Sequence, residues 1–291
     1  MTVFRAYLRP ALFTAAVSTL SFGIASKYAQ EKRHDPHHRL NPKLGMSNAD
    51  AMQYIHRLKT IQRFPEFLRE PSQTLLKAWT RLSAMDKLVY SIVAINTGVF
   101  LAWRIPRLHQ RMMYHFMHRP GHSPAYTLLT SAFSHHEPWH FAFNMIALTS
   151  FMKPLAHTLD VEEVGAVYIT AALVSSLGSH YASLARYILS RGTYEIIPSL
   201  GASGAVFALF GLNATLFPHQ KVSLIFLPFI PVDIQTMLYG VMALDATGVV
   251  LGWRLFDHVA HLSGALFGLW YASQGHAYWQ HNVYLRRDTP K

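Results

Sequence analysis

Charge-free apolar runs alternate with polar, basic stretches along the chain. The first run covers residues 11–26, behind an opening that is basic and carries no acid before Glu31. It lies near the lower limit of about 17 residues for a membrane-spanning helix. Residues 27–85 are polar, with prolines at 36, 42, 65 and 71, and a short surface helix is predicted over 48–63. Further apolar runs follow at 88–102, 139–159, 164–189, 200–217, 234–253 and 257–271. The run at 88–102 ends on Trp103-Arg104, which suits a tryptophan at headgroup level. Residues 106–138 are basic with aromatic patches, the composition of a loop lying partly in the interface. Residues 222–229 are apolar, but Pro228 and Pro231 mark them as an irregular loop rather than a span. Backbone groups in lipid must be satisfied internally, so the runs should be helices. The expectation is an all-α polytopic membrane protein with one N-terminal helix (1–27), a polar basic linker (28–85), a six-helix core (86–275) and a polar tail (276–291).

Composition supports a membrane class. Hydrophobic residues make up 51% of the 291 and charged residues 14%, against about 25% in soluble proteins. Cysteine is absent, which excludes a disulfide scaffold, a Cys-ligated metal centre and a cysteine nucleophile. The net charge of +11 is concentrated early: 14 of the 26 lysines and arginines fall in residues 1–87. Basic residues beside apolar runs, with no base-stacking module, point to anionic headgroups and not to nucleic acid. The basic, acid-poor opening fits a secretory signal, an organelle-targeting presequence or a retained anchor; we read it as an anchor. The tract His34, His37 and His38 reads as solvated loop, and no metal or cofactor is expected.

Polar side chains inside apolar helices are expensive and need a reason. Three clusters qualify. Leu200-Gly201-Ala202-Ser203-Gly204 opens a span, and its small residues fit either close helix packing or an exposed serine nucleophile. His140 and Asn144 share a helix face four residues apart, as interhelical hydrogen-bond donors or as an oxyanion site. His258 and His261 lie one turn apart. Gly264 and Gly268 continue the His261 side as a small-residue face for a neighbouring helix. His258, beside Asp257, reads as a structural histidine bonded to a backbone carbonyl. Together the clusters supply a nucleophile, a base and oxyanion donors on three spans.

The ordered set His140-x-x-x-Asn144, Gly201-x-Ser203 and His261-x-x-Gly264-x-x-x-Gly268 resembles the rhomboid intramembrane serine proteases over about residues 86–275. Residues 8–23, 201–211 and 243–271 are similar to the family's mitochondrial, presenilin-associated subgroup. The resemblance implies a six-helix rhomboid core with one extra N-terminal transmembrane helix (1+6) in the mitochondrial inner membrane. It implies Ser203 as nucleophile and His261 as general base and acid. His140, Asn144 and the Ser203 backbone N–H would form the oxyanion hole, and the substrates would be single-span or other transmembrane proteins in the bilayer. It implies a dyad, with Asp257, one turn from His261, as a neighbour able to influence the imidazole. The sequence departs from many relatives at Tyr126-Thr127, where they carry Trp-Arg, at Phe207 in place of a tyrosine stacked on the histidine, and at Ser263 in place of glycine.

Three other classes fit parts of the pattern. A rhomboid-like helix binder without activity would usually lack the serine or the histidine. A b-type cytochrome would place haem between histidines such as His140 and His261. A proton-coupled transporter would use Asp245, which reads equally as a structural cap. Pro228 and Pro231 suggest a mobile segment that gates lateral substrate entry.

Overall fold

The computed structural model describes residues 4–35, 40–41, 46–224 and 227–285. His37 and His38 of the histidine tract lie outside the described residues; His34 ends a helix. The protein is mostly helical. A π-helical turn (Phe4–Leu8) leads into α1 (Arg9–His34), with Pro10 in its first turn where no N–H is needed. A two-residue hairpin, β1 (Leu40–Asn41) with β2 (Met46–Ser47), precedes α2 (Asn48–Ile61). Ser47 caps α2 by accepting from the Asp50 N–H at 3.1 Å. A second surface helix of the linker, α3 (Glu66–Arg81), follows; Phe67 and Leu75 on it are exposed.

The expected core runs all form helices. They are α4 (Ala84–Ala102), α7 (Pro138–Met152), α8 (Val161–Leu189), α9 (Ser203–Leu216), α10 (Ile234–Leu251) and α11 (His258–Trp270). Short helices α5 (His109–His115) and α6 (Thr127–Thr130) lie in the loop between α4 and α7. Among the described residues, four helical segments are long and apolar enough to cross a membrane: Ala6–His34, Ala84–Ala102, Val161–Leu189 and Ile234–Leu251. The most buried of the four is Val161–Leu189 (α8), and α1 packs along it.

Trp103 at the end of α4 is buried, and its Nε1–H donates to Ser134 Oγ at 2.8 Å, which ties α4 to the loop before α7. Two local expectations are corrected. The stretch read as an irregular loop pairs as an antiparallel hairpin, β3 (Lys221–Leu224) with β4 (Leu227–Asp233). Lys221 and Asp233 close it with a 3.1 Å ion pair, and proline is tolerated on such an edge. The region expected as a polar tail from 276 stays helical through a π turn (Tyr271–Gly275), α12 (His276–Gln280) and a final turn (His281–Leu285). Its polar residues find partners on the first turn of α8 and on α1. Trp279 Nε1–H and the Tyr284 hydroxyl donate to Asp160. His276 bonds Glu163 at 2.8 Å, and Asn282 O accepts from Gln30.

The closest helix contact joins α9 and α11. A Cβ on Gly264 would strike the carbonyl of Gly204, and one on Gly268 the carbonyl of Ala208. These obstacles are backbone and cannot rotate away. Gly240, by contrast, has nothing within 4 Å of a built Cβ. Gly268→Val should therefore lower stability by roughly 1–3 kcal/mol or more, the range for overpacking, and Gly240→Ala should leave it nearly unchanged. Thermal unfolding of the two variants in the same detergent checks the contrast.

Candidate active site

Ser203 opens α9, so its backbone N–H belongs to the first turn, where amides lack partners within the helix. The turn before it is held from two sides. Gly201 N–H donates to Ser131 O at 2.9 Å, and Ala202 N–H to His135 Nε2 at 3.2 Å. Gly201 has φ +131°, a left-handed value that favours glycine, and a Cβ there would sit 2.6 Å from His140 Cε1. The glycine thus lets the His140 ring come beside the turn.

His261 reaches Ser203 from α11, with Nε2 2.9 Å from Oγ. Phe207, one turn after Ser203, stacks on the imidazole at 4.2 Å between centroids and 7° between planes. The pair opens into a cavity of about 280 Å³ lined by His140, Ser203, His261, Trp253, Phe256 and Asp257, among others. The described residues of the β3–β4 hairpin are not among the lining groups. The structure therefore brings Ser203, His261, His140, Gly201 and Phe207 together, with Gly264 and Gly268 at the helix contact that carries them. Asn144 sits one turn after His140 on α7 and is buried. Its amide donates to the His140 carbonyl at 2.9 Å, and it is not among the residues lining the cavity.

Two acids are placed differently from the sequence reading. Asp257 meets His261 only through the backbone, its carbonyl accepting the His261 N–H at 3.1 Å. Its carboxylate accepts from Ala260 N–H at 3.1 Å, Ser179 Oγ at 2.6 Å and Ser199 Oγ at 2.7 Å, capping α11. Asp245, read as a cap or a transporter residue, lies inside α10 and touches both His258 and His261. His258 thus bonds a carboxylate, not a backbone carbonyl. The signal for Asp245 was present in the sequence as a charge inside an apolar run; its partner, sixteen residues on, was not. His135 was also missed, hidden in the His135-His136-Glu137 stretch. Burial, with His140 adding to it, pushes the His135 imidazole down to about 3, so it stays neutral and can accept from Ala202.

A second histidine pair holds the other end of the loop. His118 forms a backbone bridge with Ser199, at 2.9 and 2.8 Å. Its side chain bonds Thr127 Oγ1 at 2.7 Å and His180 Nδ1 at 2.8 Å, and His180 Nε2 meets the Ala6 carbonyl at 2.7 Å. A carbonyl only accepts, so His180 Nε2 carries a hydrogen. With His180 neutral, its Nδ1 accepts from His118 Nε2–H. The single Thr127 hydroxyl hydrogen faces two acceptors, His118 Nδ1 and the Pro124 carbonyl, each 2.7 Å away.

A rhomboid domain model matches residues 122–277. The chain belongs to the rhomboid family. It is 33% identical over 273 residues to the human "Presenilin-associated rhomboid-like protein, mitochondrial", covering 94% of this chain and 67% of that one. It is 36% identical over 192 residues to the Saccharomyces cerevisiae "Rhomboid protein 1, mitochondrial", covering 64% and 54%. It is 33% identical over 216 residues to the Arabidopsis thaliana "RHOMBOID-like protein 12, mitochondrial", covering 70% and 62%.

Burial, with the neighbouring His180 as a second cause, pushes the His118 imidazole of this rhomboid down to about 3 from its usual 6.5. The folded loop thus binds fewer protons than the opened one. The loop's stability is full above pH 6.5 and falls as pH drops below it towards 3. Melting temperature should decline between pH 7 and 5, and His118→Gln should start lower but decline less steeply.

Proposed function

We propose that this rhomboid is an intramembrane serine endopeptidase acting on transmembrane protein substrates. The observation that carries the reading is the 2.9 Å approach of His261 Nε2 to Ser203 Oγ at the wall of a cavity inside an apolar bundle. A serine is a weak nucleophile until an adjacent base can take its proton. Ser203 Oγ attacks the scissile carbonyl while His261 accepts that proton. The oxyanion is met by the Ser203 N–H and the His140 ring, each donor contributing about 3 kcal/mol; Asn144, expected as a third donor, is turned to the His140 carbonyl and would have to leave it to take part. His261 then protonates the leaving amine, and a water repeats the sequence to free the acyl group. Phe207 holds the imidazole plane by stacking alone, since it has no hydroxyl.

The substrate helix has to unwind first, because its amides are already bonded within the helix and shielded. Small or helix-breaking residues near the cleaved bond favour that step. In the arrangement we propose, α1 is the extra crossing, and α4, α7, α8, α9, α10 and α11 form the six-helix core. The names of the mitochondrial relatives and the basic, acid-poor opening support a place in the mitochondrial inner membrane.

The test is cleavage of a tagged single-span substrate in proteoliposomes. Ser203→Ala should remove specific product by several orders of magnitude, because nucleophile and base act as one unit. Equal product from native and variant chains would reject the dyad. Binding of the substrate helix without cleavage or serine-probe labelling by the native chain would favour a non-catalytic helix binder.

A further inference from the structure

We propose that Asp245 is a positioning residue for His261 and that His258 fixes its carboxylate; the inference rests on the dyad reading above. Asp245 lies inside α10, a helix long and apolar enough to cross the membrane, and is only 4% exposed. A carboxylate there is costly unless it is paired. It has two partners, both on α11. Asp245 Oδ1 lies 2.6 Å from His258 Nδ1 and 3.2 Å from His261 Nδ1.

The partners fix the hydrogens. A carboxylate oxygen only accepts, so each Nδ1 facing it carries the proton. For His261 this leaves Nε2 with its lone pair towards Ser203 Oγ, the tautomer a general base requires. When Nε2 takes the Ser203 proton, the ring becomes a cation. Nδ1–H stays on its nitrogen, and the negative charge of Asp245 faces the positive ring. Asp245 touches neither Ser203 nor the cavity, so it acts through His261.

The site is built, not incidental. His258 and His261 are three residues apart on α11, and Asp245 and Gly248 are three apart on α10, so each pair shares a helix face. A Cβ on Gly248 would lie 2.6 Å from the His258 ring, so that glycine leaves room for the imidazole beside the carboxylate. The shorter bond goes to His258, the histidine remote from Ser203. That bond anchors Asp245, and the longer one orients His261. Asp245 Oδ2 and His258 Nε2 are buried without partners among the described residues. The two imidazoles are therefore the groups that hold the carboxylate, and loss of His258 leaves it only the longer bond to His261. Asp257, the nearer acid in sequence, is occupied by Ser179, Ser199 and the Ala260 N–H.

The experiment compares native protein with Asp245→Asn, Asp245→Glu, His258→Gln and Ser203→Ala, all as full chains in proteoliposomes. Asp245→Asn should lower kcat by on the order of 10²–10⁴-fold, the range attached to a misoriented general base, with KM nearly unchanged. Asp245→Glu should recover part of the loss. Labelling of Ser203 by a fluorophosphonate probe should slow in parallel with kcat. His258→Gln should give a smaller loss of kcat at constant KM, which keeps the proposal testable if the Asp245 variants do not fold. Full kcat in Asp245→Asn, with Ser203→Ala inactive, would overturn the proposal and leave the dyad standing. Activity in Ser203→Ala would overturn the dyad itself. A loss that appears in KM and melting temperature together would assign Asp245 to the fold alone and overturn the proposal. Three ligand atoms of Asp245, His258 and His261 lie within 4.8 Å of one another. Loss of native activity in a chelator, restored by zinc, would make the cluster a metal site and also overturn the proposal.

Discussion

The backbone contact between α9 and α11 is the constraint on which the site depends. Ser203 and His261 are 58 residues apart and sit on different helices. The 2.9 Å approach of their side chains goes with helix axes closer than ordinary side chains allow. Gly264 against the Gly204 carbonyl and Gly268 against the Ala208 carbonyl provide that approach over two successive turns. Lipid offers no hydrophobic drive for helix association, so the gain must come from dispersion and polar contacts, which weaken steeply with distance. One interface thus supplies both cohesion and the geometry of the Ser203–His261 pair. The Ser203–His261 bond and the Phe207 stack sit at the end of this interface where the cavity opens.

Polar groups inside the bundle divide in two: some, such as Asn96, Thr149 and Ser175, bond a carbonyl of their own helix, and others are placed by a partner on another helix. Asp245 on α10 meets two histidines of α11. Glu163 at the start of α8 accepts from the Tyr271 hydroxyl at 2.9 Å and bonds His276. Asn213 on α9 donates to Phe151 O on α7 at 2.7 Å. Each pairing removes an alternative way of rotating or sliding the helices, since leaving a buried donor or acceptor unpaired costs more than the bond itself contributes. The small residues set how closely the helices approach, and these pairs set their rotation.

Much of this was legible in the sequence, and the limits have physical causes. Apolar runs located every core helix, because a charge-free run in lipid has essentially one backbone solution. The His261–Gly264–Gly268 spacing located the contact face, because helical neighbours recur every three or four residues. Partners on separate helices leave no such local trace. Asp257 stood one turn from His261 and suggested a pairing, yet its side chain turned to Ser179 and Ser199; Asp245 took the place from α10. The β3–β4 hairpin was hidden by Pro228 and Pro231, which forbid a central strand but not an edge. The helical extension to Leu285 was hidden by its polar composition, because Trp279, Tyr284 and His276 are anchored by Asp160 and Glu163, more than a hundred residues earlier.

The segment ahead of α1 shows how an element outside the core can bear on the site without touching it. The Ala6 and Tyr7 carbonyls accept from His180 and from the Tyr181 hydroxyl of α8. His180 is bonded to His118, and the backbone of His118 is paired with Ser199. Ser199 in turn donates to Asp257, the cap of the helix that carries His261. Every link is a short-range hydrogen bond, and the Ala6 carbonyl, which can only accept, makes His180 Nε2 a donor. Undocking of residues 4–8 would remove the Ala6 carbonyl from the buried His180 imidazole, two hydrogen bonds from the segment at Ser199, four residues before the proposed nucleophile. The N-terminal segment and the Ser203–His261 pair are parts of one hydrogen-bonded frame.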